Sequence, residues 1–127
     1  MEERRKYPRI TRTLPLKLSD SEFDVLTESK NISGCGVYCS VDKSIPIMTK
    51  LDIVLLVPIR KSRGRVVKKI NCCGVLVRSE YLKDNGKHSY TVGIYFNEIS
   101  EKDRKVLLSY INSFRNKRAF TGNYQNQ

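Results

Sequence analysis

The sequence predicts a mainly β domain of about six strands closed by one C-terminal helix. Three observations carry that expectation. Apolar and polar residues alternate over short segments between Thr13 and Phe96, and Gly, Pro, Asn and Asp punctuate them. After Asn97 the apolar period lengthens to that of a helix. At 127 residues the chain has material for one domain and short tails, because a second core would leave each half marginal.

Thr13 to Leu18 alternates, with Pro15 marking an edge or a strand start, and Glu22 to Ser29 alternates again through Phe23 and Val25 beyond the turn at Ser19-Asp20-Ser21. Asn31 to Gly36 interrupts the pattern with two glycines and reads as a strand-to-strand loop, after which Val37 to Val41 resumes as a short strand. Leu51 to Val57 is aliphatic on both parities and reads as a central strand covered on both faces. Arg60 to Arg65 is the next turn, with Gly64 as its positive-φ residue. Val66 to Glu80 is too long for one straight strand, so a bulge or bend is expected at Gly74. Asn85-Gly86 is a hairpin signal, with Tyr90 to Phe96 as the returning strand. Leu107, Tyr110, Ile111 and Phe114 then form one apolar helical stripe behind a cap at Ser100.

Several function classes are set aside by what the chain contains. Its longest apolar run, Ile53 to Ile59, is interrupted by Pro58 and is far short of the ~20 residues that span a bilayer. The charged opening MEERRKYPR lacks the apolar stretch of a secretory signal, so a cytoplasmic protein is expected. No P-loop, G-x-S-x-G, H-E-x-x-H or paired catalytic carboxylates appear, and the expectation is that this is not an enzyme. Cys35, Cys39, Cys72 and Cys73 match no common zinc spacing and read as reduced thiols in strands, with no metal site. His88, the lone histidine, reads as a solvated turn residue.

The charge is the remaining clue. With 24 Lys and Arg against 13 Asp and Glu, the net charge of +11 favours an anionic partner. Two segments are hard to explain as fold alone. Arg4-Arg5-Lys6-Tyr7-Pro8-Arg9 is a basic arm in which Pro8 holds Tyr7 extended. Asn31-Ile32-Ser33-Gly34-Cys35-Gly36 offers an amide, a hydroxyl and close backbone approach. Guanidinium forks suit phosphate oxygens and the guanine O6/N7 edge, and an amide with a hydroxyl suits a base edge. Together they form a site for a small anionic nucleotide. A rival reading is a basic β-barrel that binds nucleic acid through the cations of 60–69, with Tyr81, Tyr90 and Tyr95 stacking on bases. A second rival is a protein-interaction module without ligand binding.

R-x-x-x-R (Arg5, Arg9) followed by [DN]-x-S-x-x-G (Asn31, Ser33, Gly36) resembles the signature of PilZ domains, the bacterial cyclic di-GMP receptors. The resemblance continues through Gly74 to Arg78, Val92 to Phe96 and the closing helix. It implies a six-stranded antiparallel split β-barrel with a C-terminal α-helix over residues 13–118, a flexible basic arm over 1–12 and a frayed tail over 119–127. It further implies that Arg5 and Arg9 contact guanine and phosphate, that Asn31 and Ser33 read a guanine edge, and that Gly36 lets ligand or backbone approach. Asn31 stands where many members carry Asp, which loses a charge-assisted bond. Arg4 resembles the variant that takes an intercalated ligand dimer, so one or two cyclic di-GMP molecules per chain are expected. Arg78 is a further candidate, set against a base on its strand. The implied role is a receptor whose arm is ordered by ligand and then meets an unidentified downstream protein.

Overall fold

The computed structural model describes residues 7–84 and 86–125, with side chains over 7–83 and 86–114. Seven strands precede one helix: β1 (Arg9–Ile10), β2 (Pro15–Ser19), β3 (Asp24–Ser33), β4 (Gly36–Val41), β5 (Lys50–Lys61), β6 (Gly64–Asp84), β7 (Lys87–Glu98) and α1 (Glu101–Gln125). The sheet runs β1-β3-β2-β5-β6-β7-β4, and β3 also pairs with β4, so six antiparallel strands close a ring to which β1 adds two residues. The mainly β architecture with a C-terminal helix is therefore the one the sequence predicts. The split lies on one edge of β3, which pairs with β2 over Asp24 to Glu28 and with β1 over Ile32 and Ser33.

Ser29 bridges that split. Its hydroxyl accepts the Leu14 N–H at 2.9 Å and donates to the Arg12 carbonyl, while its own N–H donates to the Leu14 carbonyl at 2.9 Å. Backbone that leaves a ladder inside a fold must find such partners. Inward residues of every ring strand meet in one core, among them Leu18, Ile32, Val37, Ile53, Leu76 and Ile94. The helix stripe closes the core: Leu107, Tyr110 and Ile111 are buried and Phe114 packs beside them. Ser100 caps α1 by accepting the Asp103 N–H at 3.1 Å, and Glu101 and Asp103 add negative charge to its first turn.

Two sequence expectations change, and one is met in detail. β5 is not covered on both faces: Leu51, Ile53, Leu55 and Val57 are buried, Asp52 is exposed, and Val54 and Leu56 are half-buried. A closed ring has one dry side, and the helix lies over its end, so the outward aliphatics are only shielded by neighbours. β6 runs for 21 residues and bends at Gly74 as the sequence predicts, through register shifts against β7 at Cys73/Gly74 and again at Leu76/Arg78. Gly74 is needed there, since a Cβ would lie 2.6 Å from Ile94 Cγ2 and 2.8 Å from Ile53 Cδ1. His88 is on β7 opposite Lys83, exposed and touching the Tyr81 hydroxyl, rather than in the turn. Gly64, at φ 109°, does adopt the positive φ expected of it.

All four cysteines are free thiols. Cys39 and Cys72 face the core, and burial pushes both up to about 12. Cys35 occupies the β3–β4 turn, not a strand.

Two measurements test this packing. Ser29→Ala removes a bridge whose partner Leu14 is 1% exposed; it is expected to cost about 1–3 kcal/mol in urea denaturation. Unfolded thiols ionise first, so stability present below about pH 9 is expected to fall as pH rises toward about 12, in denaturation curves across alkaline pH. Replacing Cys39 and Cys72 together by Ala or Val is expected to flatten that fall.

Candidate functional site

Asn31, Ile32 and Ser33 are the last residues of β3, so the expected loop is a two-residue turn at Gly34 and Cys35. Alternation along β3 places Val25, Thr27 and Ser29 inward and would carry Asn31 inward too. A β-bulge prevents it. Ser29 pairs with Cys39 and Asn31 with Tyr38, leaving Lys30 as the extra residue, so Asn31 turns outward and Ile32 turns in. The same device acts on β6, where Leu76 pairs with Ile94 and Arg78 with Gly93. Val77 is the extra residue there, and both it and Arg78 face solvent.

The two bulges align one row across four strands. Asn31 is opposite Tyr38, Tyr38 opposite Gly93, and Gly93 opposite Arg78. At ~4.8 Å per strand the row is about 14 Å wide. Gly93 gives the Tyr38 ring its seat, since a Cβ there would lie 3.0 Å from Tyr38 Cε1. Arg9 comes over the row from β1. Its Nη1 donates to Asn31 Oδ1 at 2.8 Å, and its Cζ stands 4.9 Å from the Tyr38 ring centroid. From the other end, Arg78 Nη1 approaches the Tyr38 hydroxyl at 3.4 Å while Nη2 pairs with Glu80 at 3.0 Å. The bond to Glu80, then that to Tyr38, holds the Arg78 guanidinium still more firmly protonated than usual. One tyrosine thus stands between two arginines.

The remaining candidates divide. Ser33 is 1% exposed, and its hydroxyl accepts the Cys35 N–H at 3.2 Å, so it sets the turn instead of facing outward. Gly36 meets backbone: a Cβ would lie 2.4 Å from the Ile94 carbonyl oxygen. Arg4 and Arg5 lie outside the described residues. Tyr7 enters over the turn, where a Cβ on Gly34 would meet its ring at 3.1 Å, and the Arg104 guanidinium of α1 lies 5.4 Å from that ring's centroid. Arg9 and Ile10, assigned to the arm by sequence, pair with Ser33 and Ile32, and Ile10 is buried. Sequence reasoning missed Tyr38, Gly93 and Tyr7. A two-residue turn at Gly34-Cys35 would have set Tyr38 beside Asn31, but the glycines read as a longer loop.

A model of the PilZ domain matches residues 3–113, and so spans the arm, both motifs and the row. The chain belongs to the PilZ domain family. PilZ domains are receptor and adaptor modules of the cyclic di-GMP type, not enzymes. Among solved structures, the Bacillus subtilis Inhibitor of motility (MotI/DgrA) matches with a TM-score of 0.72 and 23% identity, over 89% of this chain and 52% of that one. The chain thus spans about half the length of that protein. The PilZ domain of YcgR from Escherichia coli, solved with c-di-GMP, matches with a TM-score of 0.53 and 14% identity, over 91% of this chain and 98% of that one. At these identities the two likenesses speak for the fold. No curated protein matches. Within this PilZ barrel the rival nucleic-acid face is poorly built. Its cations cluster around the β5–β6 hairpin, and Tyr81, stacked on His88 and tilted against Tyr90, is separated from Lys69 by about 40 Å of strand. No helix among the described residues is long and apolar enough to cross a membrane.

Gly36→Ala tests whether this motif glycine serves packing. Overpacking against the Ile94 carbonyl is expected to cost about 1–3 kcal/mol or more by thermal and chemical denaturation, with no ligand present.

Proposed function

We propose that this PilZ domain is a cytoplasmic receptor for cyclic di-GMP, in which ligand orders the N-terminal arginines against the barrel and so forms a surface for a downstream protein. The observation that carries the reading is the placement of Arg9, on Asn31 and over Tyr38, at one end of the outward row. The row offers what a guanine dinucleotide with two phosphodiesters requires. Arg9 keeps N–H donors beyond the one used on Asn31 for a phosphate or a guanine O6/N7 edge. The Asn31 amide nitrogen is left to donate to a base, Tyr38 supplies an aromatic face, and Arg78 a second guanidinium. Ser33 and Gly36 serve the ligand through the turn and the β4–β7 contact that position these groups. Arg5 and Arg4 complete the clasp, and with Arg4 engaged the stoichiometry is two ligands per chain. Closing the arm costs chain entropy, so ligand contacts made only in the closed state must supply the switch.

Isothermal titration tests the reading. Cyclic di-GMP is expected to bind in the micromolar range or tighter, with GTP and cyclic di-AMP giving no comparable heat. Arg5→Ala and Arg9→Ala are expected to abolish binding while the barrel stays folded by circular dichroism. Tyr38→Ala is expected to weaken it by about 1–3 kcal/mol, the worth of one base stacked on an aromatic ring. A folded wild-type protein that gives no heat with cyclic di-GMP would remove the proposal.

A further inference from the structure

The β5–β6 hairpin, the segment between β1 and β2, and α1 surround an open cleft of about 590 Å³. Arg12, Arg60 and Arg65 stand around it, its apolar side is Ile59, Tyr110 and Phe114, and among the described residues no carboxylate lines it. Arg12 is held in place: its Cζ lies 4.0 Å from the centroid of the Phe114 ring. Arg60 and Arg65 are directly opposed in the hairpin register. Like charges so placed destabilise a ladder unless something neutralises them. Among the described residues the one ion pair is Arg78–Glu80, and none of their carboxylates pairs with any of these three arginines. None of Arg9, Asn31, Tyr38 and Arg78 lines the cleft.

We propose that this cleft is a second anion site, which takes a phosphate ester between Arg12, Arg60 and Arg65 and rests the organic part of the ligand on Phe114 and Tyr110. A neutral ligand would leave the Arg60–Arg65 repulsion in place, and a single carboxylate would offset only part of the charge. A phosphate ester brings several acceptor oxygens to guanidinium forks shaped for them. The volume falls within the ~300–1,000 Å³ of small-ligand pockets. The site is independent of the cyclic di-GMP reading, because it shares none of that site's residues.

The test uses pyrophosphate, titrated into the ¹⁵N-labelled full chain at ionic strength held constant with chloride. Saturable shifts are expected at the amides of residues 11–13, 59–65 and 110–114. Arg12→Gln and the double variant Arg60→Gln/Arg65→Gln are each expected to weaken binding about ten- to hundredfold. Lys68→Gln/Lys69→Gln, on the same hairpin, is expected to leave it unchanged. Melting gives a second readout that a purely structural role would not produce. In low-salt chloride Arg65→Gln should melt no lower than wild type, since a repulsion is gone, whereas in pyrophosphate wild type should rise above the variant. Vesicles identify the source of the phosphate. Sedimentation with phosphatidylglycerol but not phosphatidylcholine, lost in Arg60→Gln/Arg65→Gln and competed by pyrophosphate, assigns a lipid headgroup. Pyrophosphate binding without vesicle binding assigns a soluble phosphate ester. Shifts that never saturate, shifts confined to residues 31–38, or equal weakening by the lysine variant would each overturn the proposal.

Discussion

The outward row of the barrel depends on two residues that pair with nothing across their ladders, Lys30 on β3 and Val77 on β6. Side chains on a strand alternate strictly, so one extra residue exchanges inside for outside for everything beyond it. Were Lys30 paired in regular alternation, Asn31 would enter a core otherwise filled by Ile32, and its amide would lack partners. Were Val77 paired in the same way, Arg78 would point inward, and a guanidinium there is far more costly. Each bulge thus places a polar group on the surface, and the one on β3 also keeps Ile32 in the core. The closed ring converts these two local events into one arrangement, because β4 and β7 fix the register between β3 and β6.

What could be read in advance follows from the same geometry. The helix stripe from Leu107 to Phe114, its serine cap and the glycine at 64 were legible because each depends on residues a few positions apart. The motif residues Arg9 and Asn31 were legible through resemblance, and they do meet. The row itself was not. Tyr38 and Gly93 have no local signature, and they are brought together from strands 55 residues apart in sequence. The bulges hid it further: simple alternation sends Asn31 inward, and the two glycines in Asn31–Gly36 disguised a tight turn as a loop. β5 misled for a different reason. Its outward Val54 and Leu56 are as aliphatic as its inward residues, so composition alone could not say that only one side is dry.

The net charge of +11 resolves into places with different surroundings. Arg78 has a carboxylate partner, Arg9 has an amide and an aromatic ring, and Arg12 has an aromatic ring alone. Arg60 faces Arg65. Such differences, rather than the total, separate solvated charge from charge set aside for a ligand. An arginine whose neighbours are rings and amides keeps its hydrogen-bond donors available, whereas one bound to glutamate has already used some of them.

β1 has only two residues, and they point opposite ways. Arg9 lies on the outer face and Ile10 is sealed in the barrel. The peptide between them is a short lever through the wall. Any force that draws the Arg9 guanidinium off Asn31 is felt one residue later among Ile32 and the helix that closes the core. The exterior and the interior of this domain are therefore not mechanically separate compartments, and the tightness of the one sets the stiffness with which the other can be pulled.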